Sequence, residues 1–265
     1  MNKYIIIYIL ILCSCRSSPI EIEDEVYDII VVAGQSNTFS GKWYDEFLDS
    51  SNIKIKQLGR IDSNNLEIIE AKVPLEHHTI RQNRIGFGLF FAKEYLKHNQ
   101  TKKIIIVPCG HGNTGFVNNR WNKGDDLYLD LIMRVNYILN KFPGSNLEVI
   151  LWHQGEHDAN NNNLDYEYLL DKFIHDLRAD LQDIHTPFIL GGMVPYWVEQ
   201  NNNREFFQNI ISETPNRVLN TGYANPLLPF VIDKINNNQE IVHFDAVGQR
   251  EMGRRYFNKY LELTE

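Results

Sequence analysis

The stretch YDIIVVAGQSN, residues 27 to 37, decides the fold. Its first seven residues form a short, largely β-branched apolar run, bounded by a glycine, and read as a strand buried in a parallel sheet. The polar GQSN that follows then sits at the carboxyl end of that strand, where open α/β sheets carry their chemistry. Four further segments share the pattern: KIIIVPC (103–109), LEVILW (147–152), PFILGG (187–192) and RVLNT (217–221). Between them, Leu169, Phe173, Leu177 and Leu181 recur at every fourth position, with Leu170, Ile174 and Ile184 widening the stripe, which predicts an amphipathic helix. Similar helices are predicted over 85–97, 127–142 and 246–262. Asn-rich runs at 160–163, 201–203 and 236–238 read as turns. Strands alternating with helices predict an α/β fold around a five-stranded parallel sheet.

With 265 residues, 43% of them hydrophobic, the chain holds one large domain with a buried core. A net charge of −8 argues against nucleic acid as a partner, since phosphate binding needs clustered Lys and Arg. Near the N-terminus, Lys3 precedes YIIIYILIL (4–12), an apolar run too short to span a bilayer comfortably, and LCSC (12–15) is similar to a bacterial lipobox. Residues 1–15 are therefore expected to be a signal peptide with Cys15 as the lipidated residue, 16–25 a polar tether, and 26–265 the folded domain. The chain is expected to be exported and membrane-anchored, on the periplasmic side or the cell surface; simple secretion is the alternative. Processing would leave Cys109 as the one cysteine of the domain, so no intrachain disulfide is expected.

Three polar, glycine-bearing loops follow the first three strands: GQSN (34–37), GHGNTG (110–115) and HQGEHD (153–158). GHGNTG fits the dinucleotide fingerprint G-x-G-x-x-G, but FVNNRWNKGDD after it has no helical period and no ribose-binding carboxylate ends a neighbouring strand. Gly110 or Gly112 instead suits a backbone N–H aimed at a developing oxyanion. In HQGEHD, His153 and His157 have the i, i+4 spacing of zinc ligands, but Gly155 and the preceding strand argue against a helix starting at His153, and no third ligand is within reach. Gln154 carries a neutral NH₂ suited to an oxyanion. Ser36 sits in a tight turn, as a nucleophile or a helix cap would. Near the C-terminus, EIVH (240–243) places Glu240 three residues before His243, so that nucleophile, oxyanion donors, base and carboxylate come from separate parts of the chain.

The set VVAGQSN, RIGFGLFFAKEYL, IIIVPCGHGNTGF followed by Trp121, ILWHQGEHD, PFILGGMVP and VHFDAVGQREMGRRY resembles the SGNH hydrolases, in their sialate O-acetylesterase-like branch of carbohydrate esterases. The likeness runs from Tyr27 through nearly the whole chain. It implies a three-layer α/β/α, flavodoxin-like sandwich and no metal or organic cofactor. It further implies Ser36 as nucleophile, His243 as general base with Glu240 as its carboxylate, and an oxyanion hole from the Ser36 N–H, a glycine N–H (Gly112, with Gly110 as alternative) and the Gln154 side chain. Gln35, Asn37, Asn113, Glu156 and Trp121 are expected to contact substrate, with Arg81, Arg84, Trp43 and Trp197 as further candidates for a sugar site. The chain departs from the family at Glu240, where Asp is usual, leaving Asp233 and Asp245 as other carboxylates, and at His157, where a small hydroxyl residue is common. The implied activity is removal of O-acetyl groups from carbohydrate, either O-acetylated sialic acid or acetylated polysaccharide, through an acetyl-enzyme. A glycan-binding lipoprotein with a degenerate triad, or an esterase for another acyl group, would keep the same fold.

Overall fold

The computed structural model describes residues 24–232 and 240–265, so Cys15 and Asp233 lie outside the described residues. Seven strands form one sheet: β1 (Asp28–Gly34), β2 (Ile55–Leu58), β3 (Ile68–Glu70), β4 (Ile104–Gly110), β5 (Asn146–His153), β6 (Phe188–Gly191) and β7 (Thr221–Ala224), in the order β3-β2-β4-β1-β5-β6-β7. All pairs are parallel except β2 with β3. The five-stranded expectation is corrected to seven, because β2 and β3 are only four and three residues long and carry no extended β-branched run. The expected strand at 217–221 is also corrected. Arg217 closes a helix, Leu219 is 84% exposed, and the strand proper is TGYA at 221–224.

The helices are α1 (Phe87–His98), α2 (Asp126–Lys141), α3 (Glu156–Asn160), α4 (Tyr166–Asp180), α5 (Pro195–Val198), α6 (Asn202–Arg217) and α7 (Ala246–Thr264). The steps β4 to β5, β5 to β6 and β6 to β7 all run the same way along the sheet, so right-handed crossovers put α2, α4 and α6 on one face. There α4 packs against both α2 and α6. Meanwhile α7 packs on α1 and over β6 and β7. The two-residue period of β5 displays both layers: Trp152 stacks against Phe173 of α4, while the next residue, His153, meets Phe87 of α1 and Tyr256 of α7. Helix α6 emerges from what the sequence suggested was an Asn-rich turn. Asn201 caps it by accepting from the Asn203 N–H, and Phe207, Ile210, Ile211 and Thr214 bury one stripe.

Strand β1 is buried at all seven positions, and its one carboxylate, Asp28, is matched by Tyr95 Oη at 2.7 Å and Lys102 Nζ at 2.9 Å. Its two neighbours end level with it: Gly34 pairs with Gly110 of β4 and with His153 of β5. The three polar loops therefore leave the sheet side by side, at the point where the strand order reverses.

Candidate active site

Ser36 is presented by a bend that only glycine accommodates. Gly34 has φ +118°, and a Cβ there would stand 2.1 Å from the carbonyl oxygen of His153. The Gln35 N–H then donates to that carbonyl at 2.8 Å, and Ser36–Thr38 forms a 3₁₀ turn with Ser36 at its head. An N–H at the first position of such a turn has no intrahelical acceptor. His243 approaches from 207 residues away, and its Nε2 lies 2.8 Å from Ser36 Oγ. Just beyond it, Asp245 accepts from the Gly248 N–H and caps α7, which is its structural task here.

Asn37 holds the histidine in place. Its Nδ2 donates to the Val242 carbonyl at 2.9 Å and to Glu156 Oε1 at 2.6 Å, and its Oδ1 accepts from the Phe244 N–H at 3.0 Å. Both chain neighbours of His243 are thus tied to one side chain, and Gln249 Nε2 donates to the Asn37 carbonyl at 2.8 Å. Because Asn37 is completely buried, the expectation that it touches substrate is corrected to one of positioning.

Glu240 Oε2 lies 4.0 Å from His243 Nδ1, and the Glu240 carbonyl accepts from the His243 N–H at 3.1 Å. The carboxylate also meets Arg84 through two bonds of 2.7 and 3.1 Å, with Lys42 at 3.5 Å and Arg81 at 3.9 Å. The Arg84 hydrogen bond outweighs partial burial and holds the Glu240 carboxyl down at about 2, so it stays ionised at neutral pH.

The second and third loops interlock. Gly110 donates its N–H to buried His77 Nδ1 at 2.9 Å, whereas the Gly112 N–H reaches Thr79 Oγ1 at 3.0 Å beside Ser36. Gln154 turns inward. Its Nε2 donates to Asp158 Oδ2 at 2.5 Å and to the Thr114 carbonyl at 3.3 Å, and the residue is 1% exposed. The same nitrogen lies 3.4 Å from Oε1 of the cleft-lining Gln35, so in the resting structure the amide is engaged by acceptors of the protein itself. Asp158 also accepts from the Phe116 and Val117 N–H groups and from Asn163, which staples the second loop to the third. Trp121 is fully buried, with Nε1 donating to Thr114 Oγ1 and its ring edge-on to Trp152, so the expected substrate contact is corrected to core packing. Trp197 is likewise buried beneath Arg204, and Trp43 is half exposed.

Residues 26–262 match the family described as carbohydrate esterase, sialic acid-specific acetylesterase. The chain belongs to this carbohydrate acetylesterase family. No curated protein matches it as a relative. Among solved structures it is similar to NanS (TM-score 0.76, 20% identity, covering 92% of this chain and 98% of that one). It is also similar to a protein from Arabidopsis thaliana (0.71, 21%, 89% and 98%). A carbohydrate acetylesterase from Xanthomonas citri matches at TM-score 0.62 and 19% identity, over 89% of this chain and 56% of that one. At these identities the likeness is one of fold.

In this acetylesterase relative, Ser36 and His243 open into a cleft of about 390 Å³ lined by Gln35, Thr79, Arg81, Gly112, Asn113, Glu156, His157, Asn160 and Val242. Val242 supplies the one aliphatic side chain. Gln35 bridges loops by accepting from the His157 N–H at 3.0 Å, and His157 Nδ1 lies 3.0 Å from Asn113 Oδ1 at the rim. His153 points the other way, into the α1 and α7 layer, so the i, i+4 histidines share no helix face. Among the described residues, no three His, Cys, Asp or Glu side chains converge as metal ligands would. Cys109 is buried, and burial pushes its thiol up to about 12, which removes it as a competing nucleophile.

Thr79 and Asn160 were not legible as site residues, and Arg81 was only a weak candidate. The segment bearing Thr79 and Arg81 has no strand or helix period and is shaped by side chains beneath it. Asp130 of α2 meets His78 Nε2 at 3.0 Å, Arg60 at 2.9 and 3.0 Å, and Arg134 at 3.1 Å. His77, beside it, is kept neutral by burial, reinforced by the charges of Arg60 and His78, at about 3.

Proposed function

We propose that this protein is a serine esterase that removes O-acetyl groups from carbohydrate through an acetyl-enzyme. The observation that carries the reading is the 2.8 Å contact between Ser36 Oγ and His243 Nε2, made inside a cleft lined mostly by residues with polar or charged side chains. Ser36 Oγ attacks the acetyl carbonyl carbon while His243 Nε2 takes its proton. The carbonyl oxygen becomes the oxyanion and is received by the N–H groups of Ser36 and Gly112. In the resting structure the Gly112 N–H donates to Thr79 Oγ1, so it serves the oxyanion only once that hydroxyl turns aside. The sugar alcohol leaves with the proton from His243. Water then attacks the acetyl carbon with His243 again as base, and acetate departs. Glu240 faces the imidazolium with a fixed negative charge, moderated by Arg84, Lys42 and Arg81.

The cleft favours a sugar over a long acyl chain, because a lipase site needs an apolar groove and Val242 alone does not make one. Acetate release from 4-nitrophenyl acetate, O-acetylated sialic acid and acetylated xylan tests the reading. Wild-type protein is expected to act on at least one of them and Ser36→Ala to lose at least about 10³-fold. Folded wild type that releases no acetate, or Ser36→Ala that retains full turnover, overturns it. Export through residues 1–15 and anchoring at Cys15 belong to the same proposal; palmitate labelling that persists in Cys15→Ser would refute the anchor.

A further inference from the structure

Of the chain's four tryptophans, Trp121, Trp152 and Trp197 are buried, whereas Trp43 is 51% exposed. It opens a loop, 43–49, that turns outward what a fold normally buries: Trp43, Tyr44, Phe47 and Leu48 are exposed, while the carboxylate of Asp49 is buried. Polar contacts hold the loop in this shape. Asp49 accepts from the Asp45 N–H at 2.8 Å and from Arg250 of α7 at 2.8 and 2.9 Å, and Asp45 accepts from the Phe47 and Leu48 N–H groups at 2.9 Å. Trp43 itself has φ +69°, an uncommon state for a bulky residue and a cost the rest of the fold must offset.

The loop begins at the edge of the cleft. Gly41 exchanges bonds of 2.8 and 3.0 Å with Ile85, and the Lys42 carbonyl accepts from the Ala246 N–H at 2.7 Å, just beyond His243. Lys42 Nζ lies 3.5 Å from Glu240 Oε2, and the other oxygen of that carboxylate is 3.9 Å from Arg81 in the cleft wall. Trp43 therefore follows directly on a residue that joins the cleft's margin.

We propose that Trp43, with Tyr44 beside it, stacks on a sugar next to the acetylated one, so that the enzyme takes acetylated oligo- or polysaccharide in preference to the free acetylated monosaccharide. This rests on the esterase reading above. A pyranose offers a face of C–H groups edged by hydroxyls, so it covers an indole while its polar edge stays in water. Contacts to a sugar remote from the ester act by holding the acetyl group over Ser36. Covering the exposed half of an indole is worth about 10- to 50-fold in kcat/KM.

The test compares acetate release from two pairs: acetylated xylotetraose with acetylated methyl xyloside, and O-acetylated sialyllactose with O-acetylated sialic acid. Wild type is expected to prefer the longer member of at least one pair by about 10- to 50-fold in kcat/KM, and Trp43→Ala to bring that ratio within about threefold. A purely structural Trp43 would slow both members together and leave the ratio unchanged, which overturns the proposal. A second readout needs no variant at position 43. In Ser36→Ala the longer glycan should shift the fluorescence of the one exposed tryptophan saturably; no shift, or a shift given by phosphatidylglycerol vesicles and not by either glycan, overturns it. Wild type that hydrolyses the short members but shows no preference in either pair overturns this inference and leaves the esterase reading standing. Wild type inactive on every ester overturns both.

Discussion

Truncating Asn37 tests whether His243, the proposed general base, is held by this side chain. Asn37→Ala removes three hydrogen bonds, to the Val242 carbonyl, to Glu156 Oε1 and from the Phe244 N–H, at a site closed to water. The orphaned Phe244 N–H costs about 1–3 kcal/mol, and the lost donor to an ionised carboxylate about 1.5–3 kcal/mol. A total of roughly 2.5–6 kcal/mol corresponds to a fall in Tm on the order of 5–24 °C. Freed from both anchors, His243 shifts relative to Ser36, and a displacement of about 1 Å lowers kcat by about 10²-fold. Asn37→Asp separates shape from donation: it can still accept from the Phe244 N–H but places a second carboxylate against Glu156. Two buried carboxylates so close share a proton, which raises a folded-state pKa above the unfolded one. That penalty is absent below about pH 4 and grows as pH rises, so the Tm deficit of Asn37→Asp should be smaller at pH 5 than at pH 8. Thermal melts across that range and 4-nitrophenyl acetate turnover make the measurement. Asn37→Ala melting within about 2 °C of wild type, with unchanged kcat, refutes the clamp.

Glu240→Gln should lower kcat by about 10-fold, a modest loss because 4.0 Å separates the carboxylate from His243 Nδ1 and three cations share its charge; wild-type turnover would move the acid's role to another carboxylate. Gln154→Ala should reduce stability by about 1.5–3 kcal/mol by removing a donor from buried Asp158. A 10²- to 10³-fold fall in kcat with an unchanged melt would instead restore Gln154 as an oxyanion donor. At Asp130, burial alone would raise the carboxyl, but the bonds from His78 and Arg60 outweigh it and hold the group below the usual range. Its stabilisation is therefore complete above the unfolded value near about 3.9 and is lost as pH falls towards the folded one. Asp130→Asn should lower Tm at pH 7 and flatten its decline between pH 4 and 2; a parallel decline in both proteins would rule that out.

Local sequence determined the elements whose pattern is long enough to be distinctive. The β-branched runs of β1, β4 and β5 and the apolar stripe Leu170, Phe173, Ile174 and Leu177 are legible because strand and helix periods are properties of the chain itself. So were the chemical types in the loops, including Ser36 just after β1 and His243 just ahead of α7. Shorter or interrupted patterns were not. The three residues of β3 carry too little period to read, and α6 hides behind an Asn-rich start and Pro215. RVLNT imitates a strand although its Leu219 faces solvent.

Only the tertiary structure decided what each polar side chain touches. Asn37, Gln154 and Trp121 stand in the motifs that pointed to the site, yet all three face inward, to the His243 loop, to Asp158 and to the Trp152 cluster. Thr79 and Arg81, which carry no motif, face the cleft because Asp130 and its partners shape the segment beneath them. A loop side chain points wherever its hydrogen-bonding groups are best satisfied, and those partners lie tens to hundreds of residues away, so chain position alone cannot fix its direction.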